Sequence, residues 1–112
     1  MFIPPIDQIA RFSEEKMQKV NLYESGKMFA DLYCLYPGQE QKTHDHEGED
    51  KFYFVLEGEV SVTLGDETRR MGFGESCAAP AGVLHGVRNE SDVPAIVLAM
   101  MAPHPSRTRF ET

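Results

Sequence analysis

From Met17 onward, apolar and polar residues alternate with a period of two, in short runs cut by glycine or proline. That period is the signature of half-buried strands, because successive side chains of a strand point to opposite faces. Val20, Leu22 and Tyr23 lead into the turn signal Glu24-Ser25-Gly26. Lys27–Tyr36 then places Phe29, Asp31, Tyr33 and Leu35 on one face and Met28, Ala30, Leu32, Cys34 and Tyr36 on the other. The second set is the more uniformly apolar, so it is expected to face the interior. Further strands are predicted over Lys51–Leu56, Glu59–Leu64, Thr68–Met71, Ser76–Ala79, Val83–Arg88 and Ala95–Met101. In Glu59–Leu64 the buried positions are Val60, Val62 and Leu64, and Gly65-Asp66 marks a hairpin turn.

The first residues read differently. Pro4 and Pro5 hold Met1–Pro5 extended, and Ile6 to about Phe12 presents Ile6, Ile9 and Ala10 on one side of a short helix that ends near Glu15. The pattern divides the chain into an arm with a short helix over 1–15, a β-barrel over 17–101 and a proline-punctuated tail over 102–112. Many short strands with almost no helix predict a single all-β domain, an antiparallel sandwich or barrel.

Composition narrows the partners. The net charge is -7, with 18 acidic and 11 basic side chains, and no basic run exceeds Arg69-Arg70. Nucleic-acid binding, which needs a stripe of phosphate-neutralising cations, is excluded as an expectation. No apolar run is long enough to cross a bilayer, so no membrane partner is expected. The opening residues lack the basic start of a signal peptide, and the two cysteines, Cys34 and Cys77, lie in unrelated contexts. Reduced thiols and a cytoplasmic location are the expectation.

Candidate chemistry sits in Gly38–Gly58. His44 and His46 stand one residue apart in strand-like sequence, so both imidazoles are expected to project to the same side, beside Glu47, Glu49 and Asp50. Such a pair is either two ordinary strand histidines or the start of a metal site. His85 follows a proline-glycine turn downstream, and if its strand neighbours the first, three imidazoles converge. Neutral nitrogens with open positions suit a divalent transition metal, whether Fe, Mn, Ni, Zn or Cu.

The spacing of these residues resembles the cupin superfamily. Its first motif is Gly, five residues, His-x-His, three or four residues, Glu, six residues, Gly, and here Gly38, His44, His46 and Gly58 match. Its second is Gly, five residues, Pro-x-Gly, two residues, His, three residues, Asn, matched by Gly74, Pro80, Gly82, His85 and Asn89. The resemblance implies a double-stranded β-helix, or jelly-roll, barrel with His44, His46 and His85 as metal ligands. It also implies a homodimer, as is common among small members; Phe52, Phe54 and Leu56, on the face opposite Lys51, are expected to pack against an outer sheet or helix, or against a second subunit.

The departure is at the carboxylate. Six residues before Gly58 stands Lys51, while Asp50 fits the spacing from His46 but is one residue out of step with Gly58. Three arrangements follow: a three-histidine metal site without a carboxylate, resembling the thiol dioxygenases of the superfamily; a site in which Asp50 or Glu49 is the fourth ligand; or a metal-free polar pocket for an anionic ligand. Lys51 and Tyr53, on one strand face, are the candidate catalytic residues. The implied functions are a metal-dependent, dioxygenase-like enzyme on a small organic substrate, or a non-catalytic protein binding a small anion or sugar. Cys34 lacks the surroundings of a nucleophile, and His104, between two prolines, is expected to be a solvated tail residue.

Overall fold

The computed structural model describes residues 1–45 and 47–105, so His46 and the last part of the tail lie outside the described residues. Among the described residues one helical turn, α1 (Ile6–Ile9), precedes nine strands: β1 (Gln18–Glu24), β2 (Phe29–Leu35), β3 (Glu40–His44), β4 (Asp50–Glu57), β5 (Glu59–Leu64), β6 (Glu67–Gly72), β7 (Ser76–Ala79), β8 (His85–Arg88) and β9 (Ala95–Ala102). Among the described residues, no helix is long and apolar enough to cross a membrane.

The strands form two antiparallel sheets. One has the order β1-β2-β9-β4-β7 and the other β3-β8-β5-β6. This is the jelly-roll architecture, with sequence neighbours separated and distant strands paired. The position of β9 follows from its composition. AIVLAMMA has no polar residue, so both its faces need cover: the smaller sheet packs on Ala95, Val97 and Ala99, and the N-terminal segment on the cluster that holds Ile96 and Leu98. Its partners β2 and β4 contribute Tyr33, Leu35, Tyr53 and Val55 to the core between the sheets, and the smaller sheet answers with Val60, Val62, Met71 and Val87.

The expected inner face of β2 is corrected by the structure. Tyr33 and Leu35 face the barrel core, whereas Leu32 and Cys34 belong to a second cluster with Val20 and Ile96. The reason is that the outer face of the larger sheet is also covered. Ile6, Ile9, Ala10 and Phe12 from the N-terminal segment pack onto that second cluster. Where both faces are buried, the more apolar set need not be the inner one. The helix is shorter than expected because Ala10 is already extended and Phe12 turns to stack on Tyr36, with ring centroids 5.0 Å apart. His104 is likewise no solvated residue: its ring meets Phe29 edge-on at 6.0 Å, and its Nε2 lies 3.3 Å from Glu24 Oε2.

The two sequence motifs meet at their ends. Gly38 N–H donates to Asn89 O at 2.7 Å, and Asn89 N–H donates to Gln39 O at 2.9 Å. The buried Asn89 amide also donates to Leu35 O and Val93 O and accepts from the Ser91 backbone and hydroxyl. Asn89 therefore anchors the 89–94 loop to β2, a structural role for the last residue of the second motif.

Candidate metal and ligand site

β3 and β8 are paired, with Gln41 opposite Val87 and His44 opposite His85. Strict alternation from Gln41 would turn His44 to the other face. The ladder shifts register between Gln41 and His44, and this bulge brings His44 back beside His85. The two rings lie 4.7 Å apart between centroids. Gly86 makes the bulge possible. A Cβ there would stand 2.8 Å from Thr43 Oγ1 and 2.9 Å from its backbone N and Cα, closer than atoms pack.

Both histidines are oriented the same way. His44 Nδ1 lies 2.7 Å from Lys42 O, and His85 Nδ1 lies 3.0 Å from Val83 O. A carbonyl only accepts, so each Nδ1 carries the proton, and in the neutral ring the lone pair sits on Nε2. A backbone carbonyl on the far nitrogen is the usual support of a metal-ligating histidine. The pair thus fits a divalent transition metal through two Nε2 donors. His46, the third histidine, lies outside the described residues, and among those residues no group of three His, Cys, Asp or Glu side chains is assembled for an ion.

The two acidic candidates differ in their surroundings. Asp50 is exposed on the face of β4 opposite Lys51, and its Oδ1 accepts from Ala81 N–H at 2.9 Å. That bond organises the Pro80–Gly82 turn; the structure does not bring Asp50 to the histidine pair. Glu49 is buried, and its Oε2 accepts from Gly48 N–H at 2.9 Å.

Lys51 points inward. It is 2 % exposed, and its Nζ donates to the Tyr33 hydroxyl at 2.7 Å. The ammonium lies 5.1, 5.4 and 5.6 Å from the ring centres of Tyr33, Phe29 and Tyr53, within range of cation–π attraction. Burial lowers its pKa from the ordinary 10.5 to about 8, the charge of Lys19 adds to that, and Asp31 opposes it. Gln41, reaching across from β3, donates to the Tyr33 hydroxyl at 2.8 Å and accepts from the Tyr53 hydroxyl at 3.0 Å. Burial pushes the pKa of both phenols up, so they stay protonated.

Tyr53 and His85 approach to 6.2 Å between ring centroids. One wall of the site is therefore the histidine pair on the smaller sheet, and the facing wall is Lys51, Tyr33 and Tyr53 on the larger, bridged by Gln41. Sequence reasoning singled out His44, His85, Lys51 and Tyr53, which the structure brings to the two walls. It missed Tyr33, which sits on the face taken to be outward, and Gln41, which no motif singles out. Gly86, adjoining His85, was missed because its role is to admit a neighbouring strand.

The cupin-domain family model matches residues 31–101, which contain both walls. The structure is similar to that of TT1209 from Thermus thermophilus, with a TM-score of 0.90 and 50% identity over 94% of this chain and 100% of that one. By sequence the chain is similar to H2HPP isomerase of Bacillus subtilis, 41% identical over 63 residues, 55% of this chain and 26% of that protein. It is also similar to the tetracenomycin polyketide synthase protein TcmJ of Streptomyces glaucescens, 30% identical over 81 residues, 70% of this chain and 54% of that protein. The chain spans about a quarter of the first of these relatives and about half of the second. With the family match covering its two histidine-bearing motifs and the jelly roll enclosing them, the chain belongs to the cupin-domain family.

Proposed function

We propose that the chain is a metal-dependent enzyme acting on a small, anionic, oxygen-bearing organic substrate held between the two walls. The observation that carries this reading is the opposition of the carbonyl-braced pair His44–His85 to the buried Lys51–Tyr33–Gln41–Tyr53 network. His44 and His85, with His46, are the residues that would hold the metal. Bound there, a divalent ion supplies Lewis acidity toward a carbonyl or enol oxygen.

The chain's own groups do the rest. Lys51 presents the only ammonium buried within the described core, suited to a carboxylate or enolate oxygen. The Tyr33 hydroxyl, itself held by Gln41, accepts from the Lys51 Nζ and fixes it in place. The Tyr53 hydroxyl, kept protonated by burial, is a hydrogen-bond donor on the same wall. The apolar core around them excludes water and strengthens each of these contacts. Similarity to a protein named H2HPP isomerase supports a rearrangement by proton transfer as the reaction, and similarity to TcmJ supports a small organic substrate. The dioxygenase-like chemistry implied by a three-histidine site is the competing reaction.

The experiment is metal analysis of protein purified without chelators, followed by assays in deuterated buffer and in an oxygen electrode. Stoichiometric metal that falls away in His44→Ala and His85→Ala, with solvent deuterium entering a keto-acid substrate, is the expected result. Oxygen uptake without deuterium incorporation would select the oxygenase. Tight binding of carboxylates by metal-free protein, with neither reaction, would leave the non-catalytic anion-binding reading in its place. The homodimer implied by the resemblance is proposed alongside, and sedimentation of the purified chain tests it.

A further inference from the structure

The two sheets diverge at one side of the barrel. β6 is the edge of the smaller sheet and β7 the edge of the larger, and between them opens a cavity of about 310 Å³. Strand register decides what faces it. Val60, Val62 and Leu64 of β5 pair with Met71, Arg69 and Glu67 of β6. Directly paired residues of an antiparallel ladder share a face. Val60 and Val62 belong to the barrel core, so Met71, Arg69 and Glu67 are on the inner face of the edge strand.

Met71 continues the core. Arg69 and Glu67 break it: two opposite charges, with Nε and Oε2 2.6 Å apart, occupy inner-face positions at the mouth of the seam. Beneath them the floor is apolar, made by Val62, Leu64, Met71 and Cys77. That floor adjoins the site described above, because Leu64 pairs with His85 and Cys77 pairs with Tyr53. An apolar floor that abuts two site residues and ends at a guanidinium is the layout of a binding site for an amphipathic acid.

We propose that the seam between β6 and β7 binds the ring body of a small aromatic or alicyclic monocarboxylate, with the carboxylate paired to Arg69 and the opposite end of the ligand directed toward Tyr53 and His85. The last element rests on the proposed function; the seam and Arg69 do not. The cavity lies at the lower end of the roughly 300–1,000 Å³ that small-molecule sites occupy, which suits one or two rings. The bond to Glu67 uses Arg69 Nε and orients the guanidinium, whose fork carries four further N–H donors that match a carboxylate. Glu67 and Glu75 share the rim with Arg69 and Arg70, and Arg70 is itself paired with Glu59, so the acids at least balance the arginines and a ligand with several negative groups meets no net positive charge.

The test uses 2-naphthoate and its neutral analogue naphthalene-2-carboxamide, titrated into methyl-labelled protein with and without prior chelator treatment. Both probes are expected to shift the Val62, Leu64 and Met71 methyl resonances in either metal state. Arg69→Gln should weaken naphthoate about fivefold and leave the carboxamide within about twofold. Silent seam methyls overturn the proposal, as does an equal loss for both probes. So does an Arg69→Gln protein that self-associates with naphthoate affinity unchanged, which would make the inward charges an edge guard. Absence of metal from protein purified without chelators, or absence of turnover, with the seam shifts intact sinks the proposed function alone, and turnover with silent seam methyls sinks the seam alone.

Discussion

Replacing Lys51 with methionine keeps a long flexible stem and removes the ammonium. The lowered pKa, about 8 in the fold against 10.5 in the open chain, makes this a statement about stability. At ~1.36 kcal/mol for each tenfold change in proton affinity, the drop amounts to about 3 kcal/mol of cost for burying the charged form. The sign follows from proton binding. Below pH 8 both states hold the proton and the cost is fully present; between pH 8 and 10.5 the unfolded chain holds more protons, so wild-type stability gains from this group as pH rises. Lys51→Met should accordingly be more stable than wild type at pH 7, and the gap should close by about 2 kcal/mol by about pH 9.5. Tyr33 and Tyr53, with pKa values raised by burial, lose stability over the upper part of this range as the unfolded phenols ionise. Both proteins share that loss, so the difference between them isolates the lysine. Urea denaturation at a series of pH values from about 7 to about 9.5 measures it. A difference that stays flat with pH would falsify the desolvation argument and show that the three aromatic rings and the Tyr33 hydroxyl fully accommodate the ammonium.

Three further outcomes follow from named contacts. Gly86→Ala puts a Cβ against the Thr43 backbone, so β3 must move off β8; a loss of about 1–3 kcal/mol and a metal content well below wild type, measured by mass spectrometry, are expected. Asn89→Ala removes the donors to Leu35 O and Val93 O in a fully buried position, which should cost about 2–4 kcal/mol in urea denaturation while leaving the metal-to-protein ratio of the remaining folded protein unchanged. Asp50→Ala takes one exposed hydrogen bond from the turn at Ala81, for about 0.5–1.5 kcal/mol; because the carboxylate lies away from the histidines, metal affinity by competition with a chromophoric chelator should match wild type.

Lys51 also shows how unevenly this protein can be read from its residues. The period-two alternation, the glycine turns and the paired motif spacings suffice for an all-β jelly roll, because each depends on local geometry: side-chain direction in a strand, and backbone that tolerates a tight turn. His44 and His85 were legible for the same reason, as motif positions at fixed distances from turn glycines. The inner face of β2 was not legible, since the N-terminal segment covers the outer face and removes the polar contrast that normally identifies solvent. Nor was the aim of His44, which depends on a bulge admitted by Gly86 on another strand. The orientation of Lys51 was open as well: it shares a strand face with Tyr53, but only the structure, by placing Tyr53 and Val55 in the barrel core, makes that face the inner one. Its surroundings, Tyr33 from one strand and Gln41 from the opposite sheet, arise only when residues distant in sequence are brought within hydrogen-bonding distance. The elements are thus written in short-range patterns. The chemistry of the site comes from contacts between sheets, and no local period encodes those.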